Sequence, residues 1–239
     1  MKRTAPKRSL LHSLLKFALS SKESFIITSE VVIGIALCFF SLASFLYFTQ
    51  EMLAADFNQF DTIVTAAIYQ MRSPTVTYLM TDITSLGSAT QVVIMSLVGI
   101  IFLLKKHKKE SIVFSLALIM GILINAALKF LIQRPRPQLD PLIAERMSSF
   151  PSGHTMNAFI FFSLLSYFSY HFFKKKKWTV LITIFSAICI FLVGFSRVYL
   201  GVHHPSDVLA GYIAGFWWFT TVLLIDKTMI FYKLFKKSE

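Results

Sequence analysis

The sequence predicts an all-α, polytopic membrane protein with six transmembrane helices and both termini cytoplasmic. Three observations lead there. The chain is 55% hydrophobic with a mean hydropathy of +0.65, too apolar for an ordinary soluble domain. Six stretches, each of about 18–23 residues, are long and apolar enough to span a bilayer. They are Phe25–Tyr47, Leu86–Leu104, Ile112–Ile132, Thr155–Phe173, Trp178–Phe195 and Val208–Ile225. Backbone groups in hydrocarbon must be satisfied within the segment, so these stretches are expected to be helices. Finally, the lysines and arginines gather on every second connection. With the N-terminus inside, 18 of the 24 cations and 5 of the 12 acids fall on the inner side. This is a strong positive-inside pattern.

The segments follow in order. Residues 1–24 form a basic cytoplasmic segment with Lys2, Arg3, Lys7, Arg8, Lys16 and Lys22. Its mixed stretch SLLHSLLKFALSS does not resemble a cleavable signal; it is read either as an interfacial helix or as a loosely ordered tail. Residues 25–226 form the six-helix membrane domain, and 227–239 a basic cytoplasmic tail. The inner connections carry Lys105, Lys106, Lys108 and Lys109, then Lys174 to Lys177. The outer connections are 48–85, 133–154 and 196–207. In the first of them, Phe57, Phe60, Val64, Ala67 and Met71 recur near one helical face. An amphipathic helix is expected there, either packed on the protein surface or lining a lipid entrance.

Composition also excludes functions. A net charge of +12 in a soluble protein would suggest nucleic acid. Here the lysine runs serve topology and contact with lipid headgroups, so no nucleic-acid partner is expected. Only 9 glycines are present, and neither GxGxxG nor GxxxxGKS occurs, so a nucleotide site has no support. Cys38 and Cys189 lie in apolar stretches and read as small core residues rather than a disulfide framework.

The polar residues that remain are expensive in or beside a membrane and therefore informative. Lys129 falls near the outer end of the third span, followed by Arg134, Arg136 and Pro137. SFPSGHT, residues 149–155, immediately precedes the fourth. SRVYLGVHHPSD, residues 196–207, supplies Arg197, His203, His204 and Asp207. Three segments distant in sequence thus arrive on one side of the membrane. Lys129, Arg136 and Arg197 are three cations with few acids around them. An arginine fork matches phosphate oxygens in paired hydrogen bonds, and a lysine adds a point charge. Ser152 and Gly153 can offer backbone N–H groups at a helix start, and Gly153 lets the chain approach a ligand closely. These features describe a phosphate cradle.

Two histidines supply the chemistry. A neutral imidazole can attack phosphorus, and a protonated one can deliver a proton to a leaving oxygen. His203 and Asp207 are four apart; with a helix beginning at Pro205, Asp207 lies in its first turn and can reach back to one ring nitrogen of His203. That would fix the tautomer and balance charge on a phosphohistidine. His154 is the candidate acid. His204 is offset from this spacing and is assigned a helix-start or headgroup contact. A zinc site built from two histidines and an aspartate is the competing reading. The three cations argue against it, because they would repel a divalent ion and already supply its charge. No metal and no cofactor are therefore expected.

At this point the residues resemble a known family. KFLIQRPRP, from Lys129 to Pro137, fits K-x6-R-P with Arg136 as the arginine. Pro151, Ser152, Gly153 and His154 fit P-S-G-H. Ser196, Arg197, His203 and Asp207 fit S-R-x5-H-x3-D. These are the three motifs of the type 2 phosphatidic acid phosphatase superfamily, which includes the vanadium haloperoxidases. The similarity extends over roughly residues 50–225. It implies metal-independent hydrolysis through a phosphohistidine, with His203 as nucleophile, Asp207 orienting it and His154 protonating the leaving group. Lys129, Arg136, Ser152, Gly153 and Arg197 would hold the phosphoryl oxygens.

The expected function is thus a lipid phosphatase of the cell membrane with its site on the extracytoplasmic side. The resemblance suggests phosphatidylglycerophosphate, undecaprenyl diphosphate or phosphatidic acid as the substrate type, the first two favoured by the compact chain. Two rivals stand beside it: a phosphotransferase that passes the phosphoryl group from His203 to another lipid, and a non-enzymatic lipid-phosphate binding or transport protein.

Overall fold

A computed structural model describes residues 14, 17–103, 107–138, 140–172 and 176–238. The basic segment ahead of Leu14, Lys16, Lys105, Lys106, Lys174, Lys175 and Glu239 lie outside the described residues. Among the described residues every regular element is a helix. They are α1 (Lys22–Leu53), α2 (Asn58–Tyr69), α3 (Pro74–Ser85), α4 (Ala89–Leu103), α5 (Lys108–Ile132), α6 (Gly153–Phe172), α7 (Lys176–Tyr199) and α8 (Pro205–Ser238).

Four of these, α1, α5, α7 and α8, are long and apolar enough to cross a membrane. Helices also stand at the other two expected spans, but they fall short of that test. α4 is described over 15 residues and reaches the undescribed residues 104–106 at its end. α6 has 20 residues but is interrupted by His154, Asn157, three serines and His171. The reason is its surroundings. Met156, Ala158 and Leu164 are wholly buried, and α6 packs against α4, α5 and α7. A helix enclosed by protein is selected for packing rather than for partition into lipid.

The chain divides into two compact units. One joins α1 through Phe40 to α8 from Thr220 onward. Within it Glu30 Oε2 meets Lys227 Nζ at 2.7 Å, and Cys38 Sγ lies 3.2 Å from Thr221 Oγ1. Phe17 sets its edge against Phe231 and Phe235, with ring centroids 5.3 and 5.4 Å away. The second unit, Ser41–Phe219, contains every candidate site residue.

In the second unit the connection between α1 and α4 forms two helices, not one. Ser73 separates them: its hydroxyl accepts from Val76 N, and Pro74 occupies the first position of α3. The face of α2 turned inward also differs from the expected one. Asp61 is buried, Val64, Thr65, Ile68 and Tyr69 are partly buried, while Phe60 and Met71 are exposed. Apolar periodicity misplaced this face because a buried ion pair through Asp61, not hydrophobicity, fixes the rotation of α2.

Tyr199, at the end of α7, ties this region down. It is fully buried with Leu200 and Val202, and Ile68, Val76, Met80, Ile143 and Phe195 pack against the cluster. Its hydroxyl accepts from Ser73 N at 3.0 Å and lies 3.1 Å from Thr77 Oγ1. Its carbonyl accepts from Arg72 Nε at 2.9 Å. Tyr199→Phe leaves the Ser73 N–H without its partner. The expected cost is about 1–2 kcal/mol of stability, read as a lower thermal midpoint in detergent; an unchanged midpoint would count against this role.

Candidate active site

The cluster is assembled by three chain reversals. α5 ends at Ile132, with Gln133 in the left-handed region at φ 49°, and Lys129 stands in its last turn. The loop 133–152 then returns to the start of α6. Here Ser152 caps the helix, its hydroxyl accepting from Thr155 N at 3.4 Å and from Thr155 Oγ1 at 2.8 Å. α7 ends at Tyr199 and α8 begins at Pro205 with Asp207 in its first turn, as the spacing predicted. His204 supplies the helix start: its carbonyl accepts from Asp207 N at 3.0 Å and Val208 N at 3.3 Å.

His203 is 2% exposed. Its Nε2 lies 3.3 Å from Arg136 NH1, and its Nδ1 lies 3.5 Å from Asp207 Oδ2. The second distance is longer than a formed hydrogen bond, so the pair stands in register but is not closed. Burial pushes the His203 ring well below the usual histidine range. The hydrogen-bonding position of Asp207 opposes that shift, while Arg197 and Arg136 add to it. This shift favours the neutral ring, the form that can attack phosphorus.

The three cations of the expected cradle are present in one neighbourhood. Lys129 is buried; its Nζ bonds the carbonyl of Ser148 and lies 3.4 Å from that of Ser149. Arg136 donates from Nε to Met147 O and from NH1 to Val202 O, both at 2.6 Å. Arg197 is 1% exposed, and its NH1 donates to Thr84 Oγ1 at 2.8 Å. Its Nε is buried without a hydrogen-bond partner among the described residues. His154 stands partly buried at the start of α6; burial, then the charge of Arg197, pushes its ring below the usual histidine range, and Glu145 opposes that shift.

The expectation that few acids surround these cations is corrected by Glu145. Its carboxylate pairs with Arg197 NH2, and its Oε2 lies 3.8 Å from Arg136 NH2. Burial alone would raise its pKa, but Arg197 beside it holds it below the usual carboxylate range. Two further expectations need adjustment. Ser152 N donates to Asp207 O at 3.0 Å, so this N–H binds α8. At Gly153, an added Cβ would lie 2.7 Å from Asn125 Oδ1; this glycine lets α5 come close. Among the described residues no group of three or more His, Cys, Asp or Glu is gathered so as to hold a metal.

Comparison with known proteins shows the family. The PAP2 superfamily pattern matches residues 110–230, a span that contains Lys129 through Asp207. The chain belongs to the PAP2 superfamily. It is 33% identical over 169 residues to phosphatidylglycerophosphatase B of Bacillus subtilis, covering 70% of this chain and 83% of that protein. It is 28% identical over 127 residues to an undecaprenyl-diphosphatase of Sulfolobus acidocaldarius, covering 50% of this chain and 56% of that one. The crystal structure of a transmembrane PAP2-type phosphatidylglycerolphosphate phosphatase from Bacillus subtilis matches with a TM-score of 0.74 and 31% identity, over 80% of this chain and 96% of that one. Aquifex aeolicus LpxE matches at 0.57 and 27% identity, over 68% and 93%. The chain is thus a multi-pass member of a family of membrane lipid phosphatases.

Three residues of this cluster were given no role by the sequence reading: Glu145, Arg134 and Asp61. Arg134 NH1 donates to Asp207 Oδ1 at 2.6 Å, and its NH2 to Asp61 Oδ2 at 2.9 Å. Sequence signals existed for Asp61, an acid within an otherwise mostly apolar helical stretch, and for Arg134, a charge beside the end of a span. Glu145 and Arg134 lie in an irregular loop, where no periodicity marks them.

Proposed function

We propose that the chain removes phosphate from a lipid phosphate or diphosphate through a phosphohistidine on His203, without a metal ion. The observation that carries this reading is the two-sided environment of His203. Nε2 faces the Arg136 guanidinium and Nδ1 faces the Asp207 carboxylate. Nε2 attacks phosphorus as the bond from phosphorus to the lipid oxygen breaks, and His154 delivers the proton to that oxygen. Asp207 balances the charge on the phosphorylated ring. Water then attacks phosphorus with His154 taking its proton, the P–N bond breaks, and inorganic phosphate leaves. Arg136, Arg197 and Lys129 hold the phosphoryl oxygens, joined by the Ser152 hydroxyl and Gly153 N–H at the positive end of α6.

Arrangement in the membrane is part of the proposal. α4 and α6 complete six spans with α1, α5, α7 and α8. Both termini are cytoplasmic, the basic ends 1–24 and 227–239 flank the phosphatase domain 25–226, and the site opens on the outer face of the cell membrane. The substrate headgroup would be a phosphatidylglycerophosphate, undecaprenyl diphosphate or phosphatidic acid type. The names of the relatives support the first two. A panel of these lipids compared by kcat/KM decides among them, since that ratio reports differential transition-state binding.

The mechanism is tested by quenching the enzyme during turnover of a lipid labelled at its terminal phosphate. The expected product is an acid-labile, alkali-stable phosphoenzyme together with free phosphate, with no acceptor lipid added. Free phosphate without any phosphoenzyme in rapid-quench samples would argue for direct attack by water. Because three side-chain cations already face the phosphate, EDTA is expected to leave most activity intact. A complete loss restored by zinc would refute the metal-free reading.

A further inference from the structure

We propose that Asp61 and Arg134 are positioning residues that aim the Asp207 carboxylate at His203. This rests on the reading that Asp207 orients His203 for attack. Neither residue touches the phosphate cradle, and both act through Asp207.

The network is closed and buried. Asp61, 5% exposed on α2, accepts from Ser206 N at 2.8 Å, from Ser206 Oγ at 2.6 Å and from Arg134 NH2 at 2.9 Å. His204 Nδ1 lies 4.0 Å from its Oδ2. Arg134 splits its fork. NH2 goes to Asp61, while NH1 goes to Asp207 Oδ1 at 2.6 Å and Ser206 Oγ at 2.7 Å. Asp207 is fully buried. Its Oδ1 is engaged by Arg134, and its Oδ2 accepts from His204 N at 2.9 Å and stands 3.5 Å from His203 Nδ1.

The division of the fork is the important feature. A guanidinium beside a lone carboxylate favours a bidentate pair with both oxygens. Here Asp61 holds one nitrogen, so Arg134 reaches only one oxygen of Asp207. The other oxygen remains turned toward His203. Without the charge on Asp61, Arg134 is released to take both oxygens of Asp207 and to draw Oδ2 away from the ring. A simple anchor between α2 and α8 would need no such bond to the carboxylate that faces the nucleophile.

The test uses the full-length protein in detergent. Asp61→Asn keeps the shape and is expected to lower kcat roughly 10- to 100-fold with KM nearly unchanged, the size of a misoriented reacting group. The inhibition constant for inorganic phosphate should stay within about twofold, because the cradle is untouched. Asp61→Glu should recover part of the loss. In an Asp207→Asn background, adding Asp61→Asn should cost less than about twofold, since residues acting as one unit are not additive. Arg134→Lys should retain more kcat than Arg134→Gln and serves as an independent route if an Asp61 variant fails to accumulate. Wild-type kcat in Asp61→Asn, or losses that multiply with Asp207→Asn, would overturn the proposal while leaving the role of Asp207 standing. Wild-type kcat in Asp207→Asn itself would remove the underlying reading, and the proposal with it.

Discussion

His203→Ala is expected to bring turnover to the background of the assay, a loss on the order of 10⁴-fold or more, while the protein still inserts and folds. The size follows from the loss of the attacking atom, since removing a covalent nucleophile costs far more than removing any single binding contact. Folding should survive because the ring is a modest part of its surroundings. Val202 beside it remains in the Tyr199 cluster, and the start of α8 is held by Ser206 and Asp207 through Asp61 and Arg134. The measurement is phosphate release from a lipid phosphate, with thermal midpoint and elution profile recorded in parallel. No phosphoenzyme should form in this variant. Full activity in a well-folded sample would end the phosphohistidine reading.

Arg197→Ala is expected to lower kcat/KM by roughly 10³-fold or more, a magnitude typical of losing a preorganised charge at a developing anion. Arg197 is buried at the end of α7, spans from Thr84 to Glu145, and keeps Nε without a protein partner among the described residues. Lysine cannot replace this fork: its single ammonium cannot serve Thr84, Glu145 and a phosphate together. Arg197→Lys should therefore recover little of the lost activity. Steady-state kinetics of the two variants beside wild type checks this. Near-wild-type kcat/KM in Arg197→Lys would mean that charge alone suffices.

How much of this was legible beforehand divides along physical lines. The residues that resemble family motifs lie at fixed spacings within short segments, and spacing is what a sequence displays. His203 and Asp207 sit one helical turn apart, so their juxtaposition follows once α8 begins at Pro205. The apolar spans α1, α5, α7 and α8 were legible because lipid-facing helices must be apolar along their length. α6 was harder to read, since its neighbours are protein. The partners of the charged groups were not legible at all. Arg134 meets Asp61 and Asp207 each across 73 residues of chain, and Glu145 meets Arg197 across 52. Such pairs come from the packing of one loop against distant helices, and one sequence carries no record of which of them meet. The rotation of α2 failed for the same reason: a single buried carboxylate outweighed several apolar residues that were free to face outward.

The carboxylate of Glu145 between Arg136 and Arg197 has a consequence for ligand traffic. With this internal counter-ion seated, the two guanidinium groups are not held bare against each other. Under the proposed function, an arriving phosphate would exchange one anion for another instead of neutralising fresh positive charge, so part of its electrostatic attraction would be spent on eviction. The same exchange runs in reverse when inorganic phosphate departs. In the proposed reaction this would trade grip for throughput, since product and substrate carry the same charged group.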